Sequence, residues 1–218
     1  IDRYNDEFAV SLGQNPLMRK YHLAYRYREF GEVVASITPV ESPVSFSASV
    51  LFADDDYKES YIGLNGSEEF RATADISWAV SDDATVYLVT GHDMIDAHQT
   101  GSEQFDFWDW SAFHEDTFDH IGGGLSWRPK DGKFSLRFDY NHGDGETSIS
   151  LDSVSGGQSN LPDLESTLNS LRVEADYAFN ERLSGTFSVR YEEFEIEDWA
   201  LISHTTLPTV LSMGAEPY

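Results

Sequence analysis

From residue 134 to residue 140 apolar and polar side chains alternate without a break. Phe134, Leu136, Phe138 and Tyr140 fall on one side, and Ser135, Arg137 and Asp139 on the other. A period of two is the period of a β-strand; a helix would scatter these residues around its circumference. The pattern recurs. Val44, Phe46, Ala48, Val50 and Phe52 alternate with Ser45, Ser47, Ser49 and Leu51, and Phe70 to Val80 alternates with Arg71, Thr73, Asp75, Ser77 and Ala79. So does Leu171 to Phe179 with Arg172, Glu174, Asp176 and Ala178, and Leu183 to Tyr191 with Ser184, Thr186, Ser188 and Arg190. With 28–38, 84–92 and 117–128 this predicts about eight strands, each with one apolar and one polar face.

The connections alternate in length. Turn-forming residues mark short connections near 39–43, 81–83, 129–132 and 180–182. Between them run polar stretches, 54–68, 93–115 and 143–166, expected as long acidic loops. Short turns on one rim and long loops on the other are the mark of an antiparallel up-and-down transmembrane β-barrel. The apolar faces carry aromatic residues near strand ends (Phe30, Trp78, Trp127, Phe134, Tyr140, Phe179, Tyr191), as interfacial girdles would. A soluble acidic β-sandwich acting as a binding module is the competing architecture.

Composition narrows the function. No run of about 18 apolar residues exists, so no helix spans a membrane; strand-built spans leave little trace in a mean hydropathy of −0.42. The formal charge is −25. Segments 54–69, 92–116, 141–167 and 191–218 hold 24 of the 39 acidic residues and one basic residue, Lys58. That distribution lacks the basic footprint that nucleic acid needs. There is no cysteine, which excludes thiolate metal sites and covalent c-type haem attachment within this chain.

Few motifs carry chemistry. Asp54-Asp55-Asp56 offers hard oxygen ligands for a loop calcium but lacks the spacing of an EF-hand. His92, Asp93, Asp96 and His98 lie close enough in sequence to approach a metal, although no HExxH occurs. Solvated polar residues are the plainer reading of both, and no resident metal or cofactor is expected. Gly122-Gly123-Gly124 sits inside a strand, where it would permit a bulge or a close approach. Phe105, Phe107, Trp108 and Trp110 are unusual in a polar loop; they either pack that loop or dock a partner at the outer face. No catalytic triad is legible, so the expectation is a protein that is not an enzyme.

Several fragments resemble the decahaem-associated outer-membrane proteins, the MtrB/PioB family. They include Ser36-Ile-Thr-Pro-Val-Glu-Ser-Pro-Val, Leu51-Phe-Ala-Asp-Asp-Asp-Tyr, Phe107-Trp-Asp-Trp and Asp116-Thr-Phe-Asp-His-Ile-Gly-Gly-Gly-Leu-Ser-Trp. Leu161-Pro-Asp-Leu-Glu-Ser-Thr-Leu-Asn-Ser-Leu, Tyr191-Glu-Glu-Phe, Asp198-Trp-Ala-Leu and Leu207-Pro-Thr-Val-Leu-Ser-Met-Gly continue the likeness. The resemblance implies a large barrel in the bacterial outer membrane that sheathes a periplasmic multihaem (decahaem) c-type cytochrome and presents it to an outer-surface multihaem cytochrome. The haem would belong to the partner. On that reading Arg71, Asp75, Arg137, Asp139, Arg172, Glu174, Asp176 and Arg190 line the lumen and face the cytochrome, or bridge to one another. A porin or solute channel is the alternative function. The chain is expected to be one barrel segment over 1–218, part of a larger barrel, with a loop-like lead-in at 1–27 and a tail at 199–218 that leads to a last strand not in the sequence.

Overall fold

The computed structural model describes residue 17 and residues 24–58, 60–102, 108–130, 132–153 and 157–197. Among them nine strands form one antiparallel sheet: β1 (Tyr25–Ile37), β2 (Val44–Lys58), β3 (Gly63–Ser81), β4 (Ala84–Gly101), β5 (Trp110–Trp127), β6 (Phe134–Ser153), β7 (Gly157–Asn160), β8 (Leu164–Asn180) and β9 (Leu183–Glu197). The order is β1-β2-β3-β4-β5-β6-β8-β9, with the short β7 folded back on the end of β6. Apart from the short β7, each strand therefore pairs with its neighbour in sequence, the up-and-down topology expected. The lead-in before β1 and the tail beyond 197 lie largely outside the described residues; β1 begins at Tyr25, three residues inside the expected lead-in.

Local chemistry sets the near-rim turns. Ser42 N–H donates to the Pro39 carbonyl at 3.3 Å and Gly132 N–H to the Pro129 carbonyl at 2.9 Å, with Gly132 at a φ of 67° where a side chain would be strained. Asn180 Oδ1 accepts from the backbone N–H of Arg182 and Leu183, closing the β8–β9 turn.

Register keeps the two faces separate across the whole sheet. One row runs Ile37, Phe46, Ile76, Leu88, Gly123, Tyr140, Leu171, Tyr191. The adjacent row on the opposite face runs Ser36, Ser47, Asp75, Val89, Gly122, Asn141, Ser170, Glu192. Nothing covers the apolar face: Phe52, Phe187 and Val33 are more than half exposed. The β-sandwich alternative fails here, because all the described strands belong to one sheet and no second sheet meets the apolar rows. Phe30 departs from expectation. It pairs with Ala53, which places it on the polar face rather than in an aromatic girdle.

The second departure is strand length. The stretches expected as long loops are mostly strand: β2 runs on to Lys58, β4 to Gly101 and β6 to Ser153. The twenty residues of β6 span about 65 Å, where a membrane crossing needs roughly 9–11. In these extensions the polarity of the faces inverts. Asp54, Asp56, Glu68, Asp96, Glu115, Asp144, Glu193 and Glu195 share the face that carries the apolar residues lower down. Ala53, Tyr57, Ile149, Leu151, Leu168 and Phe194 take the other face. The inversion hid these strands, since a run of acids on one face looks like a polar loop.

The apolar band ends on a diagonal. Its last members on β2, β3 and β4 are Phe52, Phe70 and Met94, which share one register row. On β6, β8 and β9 they are Tyr140, Leu171 and Tyr191, in a row three steps lower. A drop of six residues at about 3.3 Å each, over the six pairings of about 4.8 Å from β2 to β9, makes an angle of roughly 35° with the rows. Strands of membrane barrels tilt by about 35–45°, so a flat bilayer must cut the rows obliquely, as this band does.

The two faces can be told apart by substitution. Leu136→Arg or Val173→Arg places a cation in lipid and should cost about 2–4 kcal/mol if near the bilayer midplane, whereas Ser135→Arg should cost much less. The fraction of heat-modifiable, folded barrel recovered in vesicles checks this; equal losses at the two faces would contradict the assignment.

Candidate functional site

The polar face is the only one that can line a lumen, because the opposite face is apolar at lipid depth. All eight charged residues singled out from the sequence lie on it. Arg71, Asp75, Arg137, Asp139, Arg172, Glu174, Asp176 and Arg190 each share register parity with the serine-rich rows.

The wall satisfies most of its own charge. Arg137 meets Asp139 at 2.9 Å and Arg172 meets Glu174 at 2.5 Å, two residues along the same strand in each case, and Arg190 pairs likewise with Glu192. Asp176 accepts hydrogen bonds from Ser135 and Thr186 on the two neighbouring strands. Arg71 reaches across to Asp93 at 2.5 Å. Asp75 lies between Ser47 and Val89 and makes no ion pair among the described residues. At lipid depth the serines bond one another across strands, Ser45 with Ser77 at 2.6 Å and Ser49 with Thr73 at 2.7 Å.

Arg71 belongs to a longer ladder that sequence reasoning missed. Asp55 takes Arg28 at 3.3 Å, Arg28 takes Glu69 at 2.5 Å, Glu69 takes Arg71 at 3.2 Å, and Arg71 ends on Asp93. The chain crosses β1 to β4. Its available signal was the continued alternation of Ala53, Asp55 and Tyr57, which are buried while Asp54, Asp56 and Lys58 are exposed.

Aromatic rings on this face lie along the wall. Tyr87 of β4 lies over Gly124 of β5, where a β-carbon would come within 2.6 Å of the ring. Arg137 on β6 then donates to the Tyr87 hydroxyl at 3.4 Å. His120 covers Gly91, Phe118 covers Gly143, and Trp110 covers Gly101. The triple glycine makes no bulge, since pairing runs unbroken through Gly122, Gly123 and Gly124 on both sides.

The metal candidates do not converge. Asp54 and Asp56 point to one face and Asp55 to the other. His92 and Asp93 are likewise on opposite faces, His92 bonded to Asp119 at 2.8 Å and Asp93 to Arg71. His98 stacks on Phe113 at 4.5 Å. Among the described residues no three His, Cys, Asp or Glu side chains are placed to hold an ion. Of the aromatic docking candidates, Phe105 and Phe107 lie outside the described residues. Trp108 is exposed, and Trp110 is laid over Gly101 on the lumen face.

One histidine on the wall is unlike the rest. His114 is half-buried beyond the lipid band, and burial lowers its pKa against the opposing pull of Asp116. Its Nε2 has no hydrogen-bond partner among the described residues.

The family model described as an outer membrane beta-barrel porin, MtrB/PioB, matches residues 1–218. Outer membrane protein MtrB of Shewanella baltica (strain OS185) is 28% identical over 187 residues, 85% of this chain. The chain spans 26% of that relative's length.

Two measurements test the wall. Glu69→Gln removes the anion shared by Arg28 and Arg71; both arginines are partly exposed, so the loss should be about 1 kcal/mol or less. Denaturant unfolding from vesicles reads it, with Asp75→Asn as the baseline. His114 has a lowered folded pKa, so the folded wall resists its protonation. The stability it supports is full above the unfolded imidazole value of about 6.5 and is lost as pH falls below it. The drop in thermal midpoint from about pH 7.5 to about pH 5.5 should be smaller in His114→Gln.

Proposed function

The chain belongs to the MtrB/PioB family of outer-membrane β-barrels, and from that premise we propose that it forms part of a wall sheathing a multihaem c-type cytochrome. The family is porin-like rather than enzymatic, and its place is the outer membrane. The finer reading concerns what the lumen holds. Electrons cross a membrane through closely spaced cofactors, and a bare cytochrome cannot enter hydrocarbon without desolvating its polar surface at large cost. A barrel supplies the polar interior such a protein needs, with every backbone group within the wall paired. On this reading the haem belongs to the partner; this chain has no cysteine with which to attach one.

The observation that carries the reading is the character of the lumen face at lipid depth. It is small and self-satisfied: serines bonded to serines and threonine, rings laid over glycines, arginines paired with their own neighbours. A folded protein can lie against such a wall and meet little unpaired charge, Asp75 being the member of the eight without an ion pair or side-chain hydrogen bond among the described residues. Where Arg71, Asp75, Arg137, Asp139, Arg172, Glu174, Asp176 and Arg190 face the cytochrome, they offer it hydrogen bonds more than net charge. The far rim, with exposed Trp108, is the side on which an outer-surface cytochrome would dock.

A porin or solute channel is the second reading, favoured by the wording of the family description itself. The two separate on one preparation. The full-length barrel purified in mild detergent should carry a haem absorbance band from a co-purifying cytochrome and conduct little. A colourless barrel that conducts ions freely would overturn the sheath in favour of the channel.

A further inference from the structure

We infer that Gly91 and Gly143 set the clearance of the lumen, by letting the rings of His120 and Phe118 lie flat along the wall instead of standing into the bore. The inference rests on the lumen assignment, and its consequence for a protein partner rests on the sheath proposed above.

The geometry is specific. Gly143 on β6 and Phe118 on β5 share the polar face, as do Gly91 on β4 and His120 on β5. Both glycines are buried, although the wall around them is open. What covers them is the ring from the next strand. A β-carbon at Gly143 would overlap the Phe118 ring, whose Cε2 lies 3.0 Å from that position. A β-carbon at Gly91 would overlap the His120 ring, whose Nε2 lies 2.7 Å from that position. In both cases the nearest atoms are ring atoms and not backbone, so the strand pairing survives and the ring has to move. The two rings stack on each other at 6.0 Å and 29°, so neither can retreat over the sheet toward the other. The open direction is away from the wall, into the lumen.

These positions differ from Gly122 and Gly124 of β5. At Gly124 a β-carbon would strike the Phe138 carbonyl as well as Tyr87, and at Gly122 it would strike the Tyr140 carbonyl and Asn141. Substitution there disturbs strand pairing directly and says little about the bore. At Gly91 and Gly143 the effect passes through a ring, and a ring can be removed.

That makes the test a rescue. In the full-length barrel, Gly143→Ala should lower the haem absorbance per folded barrel, and Gly143→Ala with Phe118→Ala should restore it. Phe118→Ala alone should match wild type. The same comparison at Gly91 uses His120→Ala. Folding is followed by heat-modifiable mobility, so the ratio counts assembled barrels only. Unchanged haem content in assembled Gly143→Ala and Gly91→Ala, or a double variant that stays depleted, overturns the inference. So does failure of both single variants to assemble, which would make the glycines assembly residues only. If the wild-type barrel carries no haem protein, the sheath reading has failed by itself. Clearance is then read from single-channel conductance, which should fall in Gly143→Ala and recover in the double variant.

Discussion

Hydrocarbon offers no hydrogen bonds, so every backbone amide and carbonyl that crosses it must find its partner within the protein. The rest of this structure follows from that demand. Strands satisfy it only by pairing along their whole length, and pairing fixes register. Register in turn fixes which side chains share a face, because a slip of one residue would turn every serine outward and every leucine inward. The unbroken pairing from β1 to β9 is therefore what keeps the outer rows apolar. Among the described residues β1 and β9 each have a partner on one side only. At lipid depth such an edge is costly.

The same constraint explains why polarity changes along a strand and not only across it. A strand that continues past the bilayer keeps its pairing but exchanges lipid for water on its outer face. Glu68 follows Phe70 on that face of β3, and Asp119 follows Ile121 on β5. The change falls on different register rows in different strands because the strands are tilted against a flat membrane. A soluble sheet has no plane in its surroundings and no reason to cut its rows obliquely. The oblique edge is thus physical evidence for the bilayer that does not depend on mean hydropathy.

Alternation over 134–140 or 171–179 was legible because both faces are strongly marked there. The eight long strands, the near-rim turns and the common face of the eight charges followed from it. The extensions were not legible, for a physical reason. Beyond the lipid the outer face becomes acidic while the lumen face turns partly apolar, so 54–58 reads as a polar run with a stray tyrosine. The ladder through Arg28, Asp55 and Glu69 was lost with them. Phe30 was misplaced because an aromatic ring near a strand end fits a girdle and a lumen equally well; only pairing with Ala53 decides. The glycine–ring pairs needed cross-strand register, which no single strand contains.

A lumen wall that crosses a membrane is pulled two ways. It must be polar enough to keep water or a polar protein inside, yet open charge would trap ions and large side chains would fill the space. Self-paired arginines answer the first conflict, since Arg137 and Asp139 remain hydrophilic while presenting little net field. Rings over glycines answer the second. Glycine weakens a strand by losing side-chain packing and by its backbone freedom, and an aromatic ring from the next strand restores contact over the gap without adding height. The wall then has the contact area of an aromatic-rich sheet and the profile of a glycine-rich one. In a channel a raised ring narrows the wet path and lowers conductance. It matters more when the contents are themselves a folded protein, since such a partner meets the whole surface at once and a single raised ring would hold it off.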